Sequence, residues 1–451
     1  MKKLLTILAL LTITSAGLAQ GESTLYRTIK EDYAGKADSM VNAFIESFMI
    51  KSKGVFNDMY QKYAFNAYWT QAHAMDVIVY CYERHKEDNR ALANRYKNYM
   101  ALWYSNKANN YAGASTSDGT YKMFENPFTD DMCWITLTLL HMYEATKITR
   151  YYTAAKGIFD YYIIKRANED AETGGLWLPW NTDAGSGPNA CTQSPATLIA
   201  AKLYQQTNQE KYLTYAKKLY AYTSKKIVKA DYRVEEPPLT YTQGTFAEAC
   251  RILYHVTDES STTKNRYKNL AFQYINYAFT SGRCTNGANI LRHEGTSGDQ
   301  SIFKAVLIPY AVNFVLDTEM TTANRKTIAE HIQKNTQTLY ANLNWDSYPI
   351  VFCNFDWTKP WTGADSEASM GAMCSGTSLL ENTARMQKAI KENYQDYQDA
   401  IEDIPMARGT KESQSVYTID GRLLRTPWNE TGNLPNGMYI IKGKKVWLRG
   451  N

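Results

Sequence analysis

Seven cysteines in 451 residues form no Cys-x-x-Cys pair, and six histidines form no His-Glu-x-x-His pair. That spacing supports neither a zinc site nor a dense disulfide framework, so the cysteines read as small buried hydrophobes, with a bridge such as Cys353 to Cys374 left open. Charge of one sign is also missing. Lys and Arg number 50 against 45 Asp and Glu, a net +5, and no basic block follows the chain as a phosphate backbone would require. Nucleic acid is therefore not an expected partner. No glycine-rich phosphate loop occurs, and no cofactor is implied. Past the N-terminus no apolar run reaches the roughly 20 residues of a spanning helix. With 25 Gly and 12 Pro, collagen and low-complexity chains are excluded as well.

What is present is an ordinary globular composition, 44% hydrophobic and 21% charged, with an unusual number of rings: 35 Tyr and 10 Trp. Rings with a polar edge suit surfaces that bind sugars or other amphipathic ligands, and they also fill cores. Lys2 and Lys3 precede the apolar run Leu4 to Leu11, and small residues follow at Ala16, Gly17 and Ala19. This order is that of a secretory signal, so residues 1–19 are expected to be removed and the chain exported to the periplasm, cell surface or medium.

Between about residues 38 and 400 apolar positions recur at helical spacing, as at Ile135, Leu139 and Met142. A longer period lies over it. Met142-Tyr143, Thr146, Tyr151 and Ala155-Lys156 are echoed by Leu203-Tyr204, Thr207, Tyr212 and Ala216-Lys217, about 61 residues on, and Leu253-Tyr254 with Thr257 opens the pattern again. A repeat of that length holds a helical hairpin, and six hairpins fill the region as an open solenoid or a closed double ring. The long irregular loops Lys165 to Ser194 and Ile227 to Thr242 favour the closed form with a cleft built from loops. The expected organisation is an all-α domain over residues 20–404 and a linker with a short β tail over 405–451. The tail alternates as strands do at Val416–Ile419, Leu423-Leu424, Met438–Ile441 and Val446–Leu448.

Asp130-Asp131 stands before the apolar helix Met132 to Thr146. One reading is structural: an Asp at the N-cap and another in the first turn satisfy free N–H groups and oppose the helix dipole. The other is chemical. Two carboxyls at a helix start in a cleft can be driven apart in pKa, one ionised and one protonated, which is what glycoside hydrolysis requires.

Asp130-Asp131-Met-Cys-Trp134 before a long helix resembles the Asp-Asp-x-x-Trp segment of glycoside hydrolase family 76, the endo-α-1,6-mannanases, in a secreted form of the Bacteroidota type. Further segments follow in matching order: Trp69-Thr-Gln71-Ala-His-Ala-Met-Asp76, Gly174-Gly175-Leu-Trp177, Asn189 through Pro195-Ala196, Thr240-Tyr241-Thr-Gln243-Gly244, and Leu291 through Glu294, Asp299 and Phe303-Lys304. They span residues 40 to 385. One departure is Thr242, where the family shows Asn. The resemblance implies an (α/α)6 barrel with Asp130 as nucleophile and Asp131 as general acid/base of a retaining mechanism. It also implies that Asp76, Asn189, Asp231, Tyr241, Gln243, Trp134 and Asp299 bind substrate, with no metal ligand. The expected partner is α-mannan or a manno-oligosaccharide, and the expected state a monomer.

Several of these residues have plainer roles open to them. Asp76 could be a hydrogen-bonded core acid, and Tyr241 or Gln243 a cap for a helix opening at Thr245. Glu294 and Asp299 flank a turn, and Trp357 and Trp361 could stack on sugar or pack on the barrel rim. Two other functions share the scaffold: a mannan transglycosylase, in which a sugar acceptor replaces water, and a mannan-binding surface protein without turnover. The tail resembles, more weakly, C-terminal β segments of Bacteroidota secreted proteins, some of which are sorting signals.

Overall fold

The computed structural model describes residues 24–62, 68–110, 124–235, 237 and 239–393, and strands at 416–418, 423–425, 437–441 and 444–448. The expected signal segment 1–19 and the connector 405–414 lie outside the described residues. The chain divides into two compact units, residues 1–391 and 392–451.

Besides a helical turn at 24–26, the first unit holds twelve α-helices among the described residues: α1 (Ala34–Phe48), α2 (Tyr68–His85), α3 (Arg90–Asn110), α4 (Thr129–Thr146), α5 (Thr149–Ile158), α6 (Ala190–Thr207), α7 (Glu210–Tyr222), α8 (Thr240–Val256), α9 (Ser261–Thr280), α10 (Phe303–Leu316), α11 (Thr322–Ala341) and α12 (Met370–Asn393). Burial sorts them into two rings. In α10, 12 of 14 residues are buried, whereas α9 buries only the stripe Tyr267, Ala271, Tyr274, Ile275, Ala278 and Phe279. A helix apolar all round belongs inside, and one with a single apolar stripe belongs outside. By that criterion the even-numbered helices form the inner ring and the odd-numbered helices the outer. The repeat read from the sequence is this alternation: α4 begins at Thr129 and α6 at Ala190, 61 residues later.

The inner ring closes. Thr138 Oγ1 on α4 donates to the Ala72 carbonyl of α2 at 3.1 Å, α4 packs on α6, α6 on α8 and α8 on α10. Ser378 Oγ of α12 donates to the Ala305 carbonyl of α10 at 3.0 Å, and Arg84 of α2 forms a forked pair with Glu381 of α12 at 2.7 Å per arm. The first unit is an (α/α)6 barrel.

Its two ends are unequal. Links from inner to outer helices have two to five residues, whereas those from outer to inner helices have 17 to 31. All inner helices therefore start at the end that carries the long loops. Two of those loops contain hairpins, β1 (Met49–Ile50) with β2 (Val55–Phe56) and β3 (Asn168–Asp170) with β4 (Gly175–Trp177). Helix starts leave N–H groups without intrahelical partners, and at four of the inner helices a neighbouring loop supplies the acceptor. The first N–H of α4 donates to the Trp180 carbonyl in the loop before α6 at 2.7 Å, and that of α12 to the Asp58 carbonyl in the loop before α2 at 3.0 Å. The first N–H of α6 donates to Glu235 in the loop before α8 at 2.6 Å, and that of α8 to Glu294 in the loop before α10 at 2.7 Å.

The second unit is a four-stranded antiparallel sheet of β5 (Val416–Thr418), β6 (Leu423–Arg425), β7 (Gly437–Ile441) and β8 (Lys444–Leu448) in the order β6-β5-β7-β8. The alternation in the tail thus forms strands. All seven cysteines are free thiols, so Cys353 and Cys374 are not bridged. No described helix is long and apolar enough to cross a membrane.

Helices α8 and α10 touch backbone to backbone at Gly244, where an added Cβ would stand 2.8 Å from Leu307 Cα. Gly244→Ala is expected to destabilise the barrel by about 1–3 kcal/mol through overpacking, despite the better helix propensity of Ala. The check is the urea midpoint, which should fall at unchanged slope.

Candidate active site

The segment entering α4 is fixed before the helix begins. Asn126 Oδ1 accepts the Phe128 N–H at 2.8 Å, and Arg166 donates to the carbonyls of Asn126 and Pro127 and to Thr129 Oγ1 at 2.9 to 3.0 Å. The N-cap is Phe128, with no side-chain cap bond, and Asp130 and Asp131 both lie in the first turn. This corrects the structural reading of an Asp at the N-cap. Asp130 Oδ1 does accept one free N–H, that of Asp131, at 3.0 Å. The positive end of the helix dipole favours charge on both carboxyls.

Asp130 opens into a cleft of about 110 Å³ lined by Trp69, Trp134, Cys191, Tyr241, Asp299 and Phe303. Five inner helices, α2, α4, α6, α8 and α10, and the turn before α10 supply these residues. The Tyr241 and Phe303 rings stack at 4.3 Å, Trp134 stands 5.8 Å from Tyr241, and Trp69 lies 5.8 Å from Phe303. Trp69 Nε1 donates to Asp299 Oδ1 at 2.7 Å. Apolar walls with few, fixed polar groups form the kind of site that takes a sugar ring. At the rim Phe128 and Trp180, each 39% exposed, lean on one another at 5.4 Å.

The two carboxyls are electrostatically unequal. Burial, then the charge of Asp130, then that of Asp299 push Asp131 up to about 8, against a hydrogen bond from Asn126. Burial also raises Asp130, but bonds from the Cys191 thiol and from the backbone N–H groups of Asp131 and Asp130 oppose it. Asp131 is thus the carboxyl biased to hold a proton near neutral pH, and Asp130, although also raised, is the one whose local donors favour its anion. Two environments that drive neighbouring acids apart assign the acid and the base.

Other sequence-derived candidates are spread across this end of the barrel and the core behind it. Trp134, Tyr241 and Asp299 line the cleft with Asp130. Asp76 sits below it in the core, 3.0 Å from His141 Nδ1 and 3.6 Å from His73 Nδ1. Burial opposes its charge, yet the two histidines hold it below the usual carboxylate range. Asn189 is the N-cap of α6 and accepts the Thr192 N–H at 3.0 Å. Asp231 is exposed and faces Arg233 at 3.4 Å. Gln243 is fully buried; it accepts the Val234 N–H and donates to the carbonyls of Tyr232 and Tyr274 at 3.1 Å. It thereby braces a loop in which Tyr232 and Glu235 both take φ of 71°, a left-handed conformation that costs non-glycine residues energy.

Helix α8 opens at Thr240 and not at Thr245, which puts Tyr241 and Gln243 inside its first turn. The start is advanced because Glu294, from another loop, accepts both the Thr240 N–H and its hydroxyl. Thr242, the departure from the family pattern, is buried and donates to the Leu239 carbonyl at 2.9 Å. Trp357 is fully buried, with Lys304 Nζ 3.9 Å from its ring, so its role is packing. Cys191, Trp69 and Phe303 reach the cleft although residue type alone did not single them out. All three fall inside the quoted motifs, the one signal that could have found them.

Because Asp131 rises from 3.8 toward about 8 on folding, the folded chain binds that proton more tightly than the unfolded chain. Its stability must therefore fall as pH climbs through that window. Asparagine never ionises. Asp131→Asn is expected to unfold at higher urea than the parent at pH 8.5, by on the order of 2 kcal/mol, with the gain shrinking toward pH 4. Paired urea titrations at the two pH values check this.

Residues 28–393 match the model of glycosyl hydrolase family 76. No curated protein matches the chain. Among solved structures, the fold is similar to an inactive variant of an α-1,6-mannanase from Salegentibacter sp. HEL1_6, in which two consecutive aspartates are replaced, in complex with α-1,6-mannotetraose. That pair has TM-score 0.66 and 22% identity, over 79% of this chain and 100% of that one. A family 76 mannosidase from Bacteroides thetaiotaomicron VPI-5482 is similar at TM-score 0.61 and 18% identity, over 80% and 99%. Dfg5 from Chaetomium thermophilum, in complex with glucosamine, is similar at TM-score 0.61 and 13% identity, over 80% and 91%. With the family model covering most of its length and an aromatic cleft at Asp130, the chain belongs to glycosyl hydrolase family 76.

Proposed function

We propose that this glycoside hydrolase is an exported, retaining endo-α-1,6-mannanase that cuts the backbone of α-mannan. The observation that carries the reading is the inequality of adjacent carboxyls at one helix start: Asp131 is held protonated up to about 8, while Asp130 receives donors from the backbone and from a thiol. The mannan specificity rests on the Salegentibacter enzyme, whose two-aspartate variant holds mannotetraose.

In the first step a carboxylate oxygen of Asp130 attacks the anomeric carbon of the sugar in the cleft. The bond to the leaving oxygen breaks, and Asp131 gives that oxygen its proton. In the second step the Asp131 carboxylate takes a proton from water, whose oxygen attacks the same carbon and releases Asp130. Two inversions retain the configuration. The aromatic walls keep bulk water from the oxocarbenium-like transition states, and Asp299 is placed to take a sugar hydroxyl as well as the Trp69 N–H.

The test is hydrolysis of unbranched α-1,6-mannan by the mature chain. Oligosaccharides are expected from the parent, with α-configured ends in the first minutes by proton NMR. Asp130→Asn and Asp131→Asn should each lose at least about a hundredfold in kcat/KM. Parent activity should decline as pH passes about 8, where Asp131 gives up its proton. Binding of mannan by the parent without release of oligosaccharides would leave a surface-binding protein in its place. Export is checked separately by N-terminal sequencing of the secreted chain, which should begin at Gln20 or Gly21.

A further inference from the structure

Cys191 is the second residue of α6, and its neighbours on both sides are tied down. Ala190 N–H donates to Glu235 at 2.6 Å, and Thr192 N–H donates to the Asn189 side chain at 3.0 Å. Glu235 is itself part of the loop that Gln243 braces. The thiol so placed donates to Asp130 Oδ2 at 3.2 Å, while Asp130 Oδ1 accepts the Asp131 N–H at 3.0 Å. One donor on each oxygen fixes the plane of the carboxylate. Beside the sulfur, Tyr241 lines the same cleft and acts electrostatically on the thiol, which links α8 through α6 to α4.

We propose that Cys191, backed by Tyr241, is a positioning residue that orients the Asp130 carboxylate and sustains its charge in the cleft. The proposal deepens the reading of Asp130 as nucleophile and rests on it. A thiol suits the task because it is a weak donor. It holds the oxygen in place and leaves most of its electron density for attack, whereas a stronger donor would stabilise the resting anion more. Burial and the nearby Asp130 push the thiol well above its ordinary range, so it remains a donor throughout the working pH range and is not itself a nucleophile. The other titratable groups around Asp130 are Asp131 and the buried Cys133 on the same helix, Asp299 before α10, Tyr241 on α8 with Glu235 behind it, and His73 on α2 beside the Trp134 ring. Of these side chains, Cys191 is the one whose bond opposes the rise that burial imposes on Asp130.

The test compares the parent with Cys191→Ala, Cys191→Ser and Tyr241→Phe on α-1,6-manno-oligosaccharides across pH, with melting temperature followed in each. Cys191→Ala is expected to move the acid limb of kcat/KM up by about 0.5–1 pH unit and to cut kcat about tenfold with KM little changed. Cys191→Ser, which keeps a donor, should leave the limb at or below its parental position, and Tyr241→Phe should move it part of the way up. An unmoved limb in Cys191→Ala, or a serine variant that behaves like alanine, would overturn the proposal. A second readout does not depend on turnover. The S–H stretching band isolated by subtracting Cys191→Ala from the parent should lie at low frequency and rise in Asp130→Ala. A band that stays in place defeats the thiol contact, whereas a moving band in a chain that releases no sugar defeats only the hydrolase reading.

Discussion

The free N–H groups at the starts of the inner helices are the constraint on which the rest of this barrel depends. Six helices that begin at one end of a closed ring bring unpaired donors and positive dipole ends together where the protein must also leave a cleft. The chain meets that demand by passing it round the ring: Trp180 serves α4, Glu235 serves α6, Glu294 serves α8 and Asp58 serves α12, each from the loop of the next hairpin. Four of the six long loops are thereby anchored to the start of the neighbouring inner helix.

The chemistry draws on the same field. A carboxyl in the first turn of a helix is stabilised as an anion by the dipole and destabilised by burial, so small differences in local donors decide which of two neighbours keeps its charge. Asp130 has the Asp131 N–H on one oxygen and the Cys191 thiol on the other. Asp131 has a bond from Asn126 and faces the charges of Asp130 and Asp299. The pair costs stability in the pH range where it is useful, which is the usual relation between an active site and the fold that carries it.

Much of the architecture was legible before any coordinates. The 61-residue echo from Met142-Tyr143 to Leu203-Tyr204 reports a hairpin repeat, because each hairpin buries one face on its neighbour and so repeats the same apolar positions. The strands of the tail were legible for a similar reason, since residues alternate across a sheet with period two. The start of α8 was not. Its cap is Glu294, 54 residues away, and no local pattern around Thr245 contains it. Gln243 likewise reads as a polar residue near a helix start, while its work is to hold the backbone of a loop from inside the core.

By itself the sequence determined the helical hairpins, their number and order, the strand character of the tail, and the adjacency of Asp130 and Asp131, because periodicity and neighbourhood are properties of a chain. Only the tertiary structure decided which of those two carboxyls keeps its proton, and that Cys191, Trp69, Tyr241 and Phe303 stand with Asp130 in one cleft while Asp76 rests among histidines in the core. Burial, field and hydrogen bonds between distant loops are set by closing the ring, and a linear order of residues does not contain them.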